Sequence, residues 1–390
     1  MVNRIIILVL DSVGIGALPD AKAFNSEGAN TLGSIVKKHP DIDLNNFLKL
    51  GLGNIEGIDF LPSEKEPTAA FGRSMEHSNG KDTTTGHWEI AGIHLEKPFK
   101  TYPNGFPKEV MDEFEKRTGK KGIGNKPASG TQIIEELGAE HLESKNPIIY
   151  TSADSVLQIA AHEEVIPLKE LYEMCEIARE IMTGENAVAR IIARPFVGTL
   201  GAFERTSNRK DFSLSPQENT VLDFTLDAGY EVVGIGKIDD IYNGQGISKK
   251  IASKSNAQGI EKTIEAIETN TQGIIFTNLV DFDSKFGHRR DPEGYKKALE
   301  EVNHHLPKIL ESLKEEDLLI ITADHGNDPT YPGTDHTREY VPLLIVGDTV
   351  KQGADIGTRS SFADIAATIS DLLHVEKTRN GNSFAKLIQK

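Results

Sequence analysis

The sequence is poor in cysteine, in long apolar runs and in basic residues. Its 390 residues include one cysteine, Cys175, so no disulfide can form within the chain, which fits a reducing compartment. The first apolar run, Ile5–Leu10, is too short for a signal-peptide core or a membrane span. Basic residues number 43 against 59 acidic ones, and this net charge of −16 argues against nucleic acid or an anionic membrane as a partner. We therefore expect a cytoplasmic protein.

The remaining composition is that of an ordinary globular protein. Apolar residues make up 38% of the chain and charged residues 26%, and the length predicts two or three domains with a substantial core. Cys175 lies in a helical pattern of apolar residues with Leu171, Met174, Ala178 and Ile181. That spacing predicts a packing role for the thiol and not a reactive one.

Three apolar runs end in aspartate, and two of them are followed by histidines. Ile5–Leu10 leads to Asp11, Gly273–Val280 leads to Asp281, Asp283 and His288, and Leu318–Ala323 leads to Asp324, His325 and, further on, His336. Runs of this length and composition predict short buried strands. In an open α/β sheet, ligands bind outside the carboxyl ends of parallel strands, so these side chains are expected to converge in one crevice.

The order of predicted elements indicates one domain inserted into another. Strands at 231–236, 273–280 and 318–322 alternate with helices, which predicts a parallel sheet. Pro98, Pro103 and Pro107 open a stretch with its own alternation of helices and strands, and Pro216 closes it. We assign residues 1–97 and 218–390 to a discontinuous core domain and residues 98–217 to an inserted domain.

The aspartates and histidines are the ligand types that Zn²⁺ and Mn²⁺ share. Asp324 and His325 are adjacent and would point to opposite faces of a regular strand, so both can bind a metal only if they lie in the turn after it. Simpler explanations exist for each residue alone. Asp11 could cap a helix or form a turn, and His288 or His336 could be an ordinary surface histidine.

A hydroxyl nucleophile is available in Thr83, Thr84 and Thr85, which directly precede a predicted helix. Free backbone N–H groups at a helix start favour phosphate, and a hydroxyl next to a divalent cation loses its proton more easily. The alternative is that one threonine is only the N-cap of the helix. The segment Gly14-Ile-Gly16 does not match a dinucleotide-binding motif, because Pro19 stands where that motif needs a glycine.

Several stretches of the chain resemble prokaryotic phosphopentomutases, a family of the alkaline phosphatase superfamily. These are Asp11-Ser-Val-Gly-Ile-Gly, Gly80-Lys-Asp-Thr-Thr-Thr-Gly-His-Trp-Glu, Tyr150-Thr-Ser-Ala-Asp-Ser-Val, Asp281-Phe-Asp-x4-His-Arg-Arg-Asp, Ala323-Asp-His-Gly-Asn-Asp-Pro-Thr and Gly333-Thr-Asp-His-Thr-Arg-Glu. The resemblance covers essentially the whole chain. It implies an α/β fold, with an alkaline-phosphatase-like core built on a mainly parallel sheet and an inserted α+β cap domain.

The resemblance also implies a set of site residues. Two Mn²⁺ ions would be bound, one by Asp11, Asp324, His325 and the Thr83 oxygen, the other by Asp283, His288 and His336. Thr83 matches the family's phosphorylated nucleophile. The positions that match the family's sugar-phosphate contacts are Asp154, Arg190 and Lys237.

The activity implied by the resemblance is the interconversion of ribose 1-phosphate and ribose 5-phosphate, and of the 2-deoxyribose pair, in nucleoside salvage. Glucose 1,6-bisphosphate or ribose 1,5-bisphosphate would act as activator. The partners would be small pentose phosphates, with no obligate protein partner. Two alternatives are a metal-dependent phosphatase or phosphodiesterase of the same superfamily and a non-catalytic sensor of metal or sugar phosphate.

Overall fold

Strands and helices alternate along the chain, as the sequence predicts. The computed structural model describes residues 2–152, 155–269 and 272–390. The strands are β1 (Arg4–Leu10), β2 (Ala70–Ser74), β3 (Ile123–Pro127), β4 (Ile148–Thr151), β5 (Val156–His162), β6 (Arg190–Thr199), β7 (Ala202–Arg205), β8 (Lys210–Ser213), β9 (Glu231–Ile235), β10 (Lys249–Ile251), β11 (Gly273–Leu279), β12 (Asp317–Thr322), β13 (Val341–Val346) and β14 (Asp355–Arg359). The helices are α1 (Thr31–Lys38), α2 (Asn45–Leu50), α3 (Thr83–Ile90), α4 (Lys108–Thr118), α5 (Gly130–Ser144), α6 (Leu168–Ile181), α7 (Val221–Asp227), α8 (Ile238–Ile241), α9 (Asn256–Glu268), α10 (Pro292–Ser312), α11 (Ala363–Leu373) and α12 (Ala385–Ile388), and a π-helix spans Phe282–Gly287.

The described chain divides into two compact units. The first, here called the core unit, comprises the residues up to Pro98 together with Pro216–Lys390, and the second, the inserted unit, is Phe99–Ser215. None of the described helices is long and apolar enough to cross a membrane.

The three aspartate-ending runs form neighbouring strands in the middle of the core sheet. Its strand order is β10-β9-β11-β1-β12-β13-β2-β14. Strand β1 lies between β11 and β12 and is parallel to both, with Leu10 opposite Leu279 and Val9 opposite Thr322. These three strands are buried along their whole length, which explains why their sequences are apolar at successive positions. Their carboxyl ends therefore lie side by side at one edge.

The core sheet is mainly but not wholly parallel. Strand β13 is antiparallel to both of its neighbours, β12 and β2, and the other neighbouring pairs are parallel. This agrees with the fold class that the sequence predicts.

The inserted unit has its own mixed sheet and two apolar clusters. Five strands follow the order β3-β4-β5-β6-β7, and β8 pairs with β6. Residues of α4 and α6 build one cluster against the sheet, and residues of α5 contribute to the other. Cys175 on α6 belongs to the first cluster, and burial raises the pKa of its thiol. The cysteine therefore packs, as its helical spacing predicts.

Candidate metal centre and nucleophile

Two aspartates and a histidine meet where β1 and β12 end. Asp11 follows the last residue of β1, and Asp324 and His325 lie in the bend that follows β12. His325 Nε2 lies 3.4 Å from Asp11 Oδ1 and 3.4 Å from Asp324 Oδ2. All three side chains are at most 1% exposed. The turn after β12 thus directs the adjacent aspartate and histidine into the same site.

A second set is built by the π-helix that follows β11. The His288 N–H donates to the Asp283 carbonyl, five residues earlier, as in a π-helix. These two side chains therefore lie on the same side of the turn. In an α-helix, residues five apart would not share a side. His288 Nε2 lies 3.3 Å from Asp283 Oδ2. His336, from the loop before β13, places Nε2 3.3 Å from Asp283 Oδ1 and 3.0 Å from His288 Nε2.

The two sets form one continuous centre. Ligand atoms of Asp283, His325 and His336 lie within 4.8 Å of one another, and so do those of Asp11, Asp324 and His325. His325 therefore lies between the two sets. The structure brings together the six aspartates and histidines that the resemblance implies as ligands.

Thr83 contributes its hydroxyl to the same centre. It is the first residue of α3, and its Oγ1 lies 3.2 Å from His325 Nε2. The N-cap of this helix is Asp82, whose Oδ1 accepts from the N–H groups of Thr84 and Thr85, both at 3.1 Å. The alternative prediction, that a threonine caps the helix, is therefore wrong for Thr83. Its hydroxyl is available for chemistry.

The centre has the properties of a cation-binding site. Asp11 Oδ1 and Asp324 Oδ2 are buried and accept no hydrogen bond from the described residues. Asp324 Oδ2 does lie 3.0 Å from His87 Nδ1, but that N–H is used on the Thr83 carbonyl at 2.9 Å. Leaving a buried carboxylate oxygen without a partner is costly, and oxygen and imidazole donors suit divalent metals such as Mn²⁺ and Zn²⁺. The residues present fit such an ion.

The electrostatics of the centre lead to the same conclusion. Burial raises the pKa of Asp11 to about 7, and the charges of Asp324 and Asp283 add to the shift. Burial alone would lower the pKa of His325, but Asp324, Asp11 and Asp283 outweigh it and raise that pKa to about 9. Burial also opposes ionisation of Asp324 and Asp283. Nevertheless, the charge of His325 lowers the pKa of Asp324, and the charge of His336 lowers the pKa of Asp283. Positive charge is thus strongly favoured here.

His87 and Asn278 support the ligands, and no sequence motif assigned either residue a role. Because the Thr83 carbonyl can only accept, His87 carries its proton on Nδ1, and Nε2 accepts from Asn278 Nδ2 at 3.2 Å. Asn278 Nδ2 also donates to Asp11 Oδ2 at 2.8 Å. One signal was present in the sequence, since His87 follows Thr83 by four residues and therefore shares its helix face.

The predicted sugar-phosphate contacts lie in different parts of the chain. Lys237 is exposed and follows β9, at the same carboxyl edge of the core sheet as Asp11. Arg190 begins β6 in the inserted unit, with Nη1 3.6 Å from Asp211 Oδ2. Asp154 lies outside the described residues.

Comparisons with known proteins identify the family. A family model described as "Metalloenzyme superfamily" matches residues 3–377. The chain is 62% identical to the phosphopentomutase of Alkaliphilus oremlandii over 390 residues, covering 100% of both chains, and 58% identical to that of Clostridioides difficile over 384 residues, covering 98% of both. A solved structure of a Pyrococcus horikoshii protein shares the fold, with a TM-score of 0.50 and 14% identity over 98% of this chain and 100% of that one. The predicted alkaline-phosphatase-like α/β fold is confirmed, and the chain belongs to the phosphopentomutase family of the metalloenzyme superfamily.

Proposed function

We propose that the chain interconverts α-D-ribose 1-phosphate and D-ribose 5-phosphate, together with the 2-deoxyribose pair. The observation that carries this proposal is the Thr83 hydroxyl, which lies 3.2 Å from His325 Nε2 among buried carboxylates at the start of a helix. A helix start favours the charge of a phosphoryl group, and because Asp82 is the N-cap, the Thr83 hydroxyl is not needed to cap the helix. The family's name supports the substrate class.

In the proposed reaction, Thr83 carries the phosphoryl group between turnovers. The free hydroxyl of a bound pentose phosphate attacks phosphorus, the bond from phosphorus to Thr83 Oγ1 breaks, and the proton of the attacking hydroxyl passes to Thr83 Oγ1. The resulting sugar bisphosphate turns around and returns its other phosphoryl group to Thr83. Two Mn²⁺ ions, held by the ligand sets named above, would neutralise charge on the phosphoryl oxygens.

The phosphate that does not react needs its own contacts. We propose Arg190, Lys237 and Asp154 for the sugar phosphate, since a guanidinium can hold a phosphate with two parallel hydrogen bonds. Excluding water from phosphorylated Thr83 separates a mutase from a phosphatase, and we propose this task for the inserted unit. Glucose 1,6-bisphosphate or ribose 1,5-bisphosphate would supply the first phosphoryl group.

The proposal is tested by ³¹P NMR of the protein with ribose 5-phosphate, Mn²⁺ and a trace of glucose 1,6-bisphosphate. The proposal predicts that ribose 1-phosphate appears with little inorganic phosphate. Inorganic phosphate without ribose 1-phosphate would make the centre a hydrolase site. If neither product forms, the proposed substrate is wrong.

A further inference from the structure

Arg338 is a buried arginine that binds the main chain of a loop. It lies two residues after His336, and its side chain is 2% exposed. Nη1 donates to the carbonyl oxygens of Ser78 and Gly80, both at 2.6 Å, and Nη2 donates to that of Glu76 at 2.8 Å. A guanidinium is costly to bury unless its N–H groups are satisfied, so these bonds fix the loop and the side chain relative to each other.

The remaining contacts of Arg338 balance its charge. Asp20 Oδ2 accepts from Nη2 at 3.0 Å, and the ion pair with Glu76 Oε2 is 2.9 Å long. The guanidinium also stacks on Phe24, with 4.4 Å from Cζ to the ring centroid. The fork of five donors reaches three carbonyls and two carboxylates at once. A lysine has one nitrogen and cannot span them.

The loop bound by Arg338 leads directly to the nucleophile. Residues 75–82 connect β2 to α3, and Thr83 follows them. Glu89 on α3 holds the other side of the loop, accepting from the N–H groups of His77 at 2.8 Å and Ser78 at 2.6 Å. Arg338 thus binds three carbonyl groups of the loop, and Glu89 binds two of the loop's N–H groups.

The main chain next to Arg338 is tied to the ligand segment. Thr337 and Gly326 exchange backbone hydrogen bonds of 3.0 and 2.8 Å, directly beside His325. Arg338 therefore connects the segment that carries His325 and His336 to the loop that carries Thr83.

We propose that Arg338 is a positioning residue for the phosphoryl transfer. Its guanidinium holds the loop 75–82 in register with the ligand segment and so sets the place of the Thr83 hydroxyl. This inference rests on the proposed function, in which Thr83 is the nucleophile. A displacement of the order of 1 Å at a reacting atom costs about 100-fold in rate.

The test compares Arg338→Lys with Arg4→Lys. Arg4 is a matched control, since it is 3% exposed and pairs with Asp317, yet it lies at the amino end of β1, about 20 Å of strand away from Asp11. Four quantities are measured on the Mn²⁺-loaded proteins: kcat, KM for ribose 5-phosphate, bound Mn²⁺ by elemental analysis, and the rate of Thr83 phosphorylation by glucose 1,6-bisphosphate, followed by intact mass.

We expect Arg338→Lys to lower kcat and the rate of Thr83 phosphorylation by about 100-fold, with KM within about threefold and Mn²⁺ content unchanged. Arg4→Lys should lower the melting temperature and leave both rates unchanged. Millimolar guanidinium should restore part of the rate of Arg338→Ala and none of the rate of Thr83→Ala.

Three outcomes would overturn the inference. In the first, Arg338→Lys phosphorylates Thr83 at the wild-type rate. In the second, its activity falls only in proportion to its loss of Mn²⁺, so that Arg338 supports the ligands and not the nucleophile. In the third, wild-type protein forms no phosphothreonine, and then the proposed function fails together with the inference. The first two outcomes leave the proposed function intact.

Discussion

The two ends of strand β1 hold buried carboxylates whose hydrogen bonding differs sharply. At the amino end, both oxygens of Asp317 accept from Arg4, at 2.9 and 2.6 Å. At the carboxyl end, one oxygen of Asp11 and one of Asp324 accept no hydrogen bond from the described residues. The two edges of the same parallel strands are almost equally buried. The carboxylate at the amino edge is fully hydrogen-bonded, whereas the carboxylates at the carboxyl edge are not.

The difference separates charge that stabilises the fold from charge that serves chemistry. A paired carboxylate needs nothing further from solution. Three clustered carboxylates raise the pKa of His325 to about 9. Without a bound cation, the proton on His325 is the positive charge that these carboxylates stabilise. We infer that divalent cations complete the carboxyl end. Four variants or conditions are expected to affect the two ends differently.

The largest effect is expected from Thr83→Ala at the carboxyl end. Turnover should fall by at least about 10⁴-fold because the phosphoryl carrier is lost, while the fold remains and the aspartate and histidine ligands keep most of the Mn²⁺ bound. The measurement is kcat for ribose 1-phosphate formation, with circular dichroism and elemental analysis alongside. Thr84→Ala is the matched control one residue away. Substantial mutase activity in Thr83→Ala would rule out this nucleophile.

The opposite result is expected from Arg4→Met at the amino end. Removing one partner of a buried ion pair leaves Asp317 uncompensated and should cost about 3–5 kcal/mol of unfolding free energy, with kcat unchanged. Urea unfolding and steady-state kinetics measure the two quantities. The double variant Arg4→Met/Asp317→Leu should recover most of the stability. A loss of kcat in folded Arg4→Met would remove the distinction between the two ends.

The pH dependence of stability should differ between metal-free and Mn²⁺-loaded protein. His325 has its pKa raised from 6.5 to about 9, so the stability it provides is complete below pH 6.5 and is lost as the pH rises through 9. Asp11 has its pKa raised from 3.8 to about 7, so the stability that its proton provides is lost as the pH rises from 3.8 through about 7. In a chelator, the unfolding free energy should fall by roughly 3 kcal/mol between pH 6.5 and 9.

In the proposed metal centre, bound Mn²⁺ would take the place of the proton, so loaded protein should not show this fall. Urea unfolding at several pH values, with chelator or with Mn²⁺, makes the comparison. In chelator, His325→Gln should flatten the dependence. A metal-free protein that became more stable from pH 6.5 to 9 would contradict the assigned charge state.

The smallest effect is expected from His87→Gln, which alters the support of the ligands and not the ligands themselves. Loss of such an outer contact typically weakens metal binding by about 10- to 100-fold. The affinity for Mn²⁺ can be measured by titration calorimetry after chelator treatment. The matched control is His141→Gln, a buried histidine of the inserted unit. Equal Mn²⁺ affinity in His87→Gln and wild type would show that the contacts of His87 with the Thr83 carbonyl and Asn278 do not support the ligands.

Much of the core could be predicted from the sequence because burial on both faces leaves a continuous apolar run. This signal located β1, β11 and β12. Strand β13, which is antiparallel in the middle of the sheet, was not predicted. Its pairing with β2 joins segments about 270 residues apart in sequence, and a local sequence pattern cannot indicate so distant a pairing.

The site could be predicted only in part. Asp281 and Asp283 follow the same strand, yet Asp281 accepts from the Asn256 N–H at 3.1 Å and from Lys285 Nζ at 3.0 Å, while Asp283 faces the histidines. The π-helix that separates their roles depends on packing that sequence periodicity does not encode. His87 could have been found from helix spacing, whereas its partner Asn278 is identified only once the order of the strands is known.

An anomalous difference map from crystals of the chain grown with Mn²⁺ tests the proposed metal centre. The centre predicts two strong peaks, one among Asp11, Asp324 and His325 and the other among Asp283, His288 and His336. Peaks elsewhere, or well-ordered side chains with no peak at the carboxyl end of β1, would contradict it.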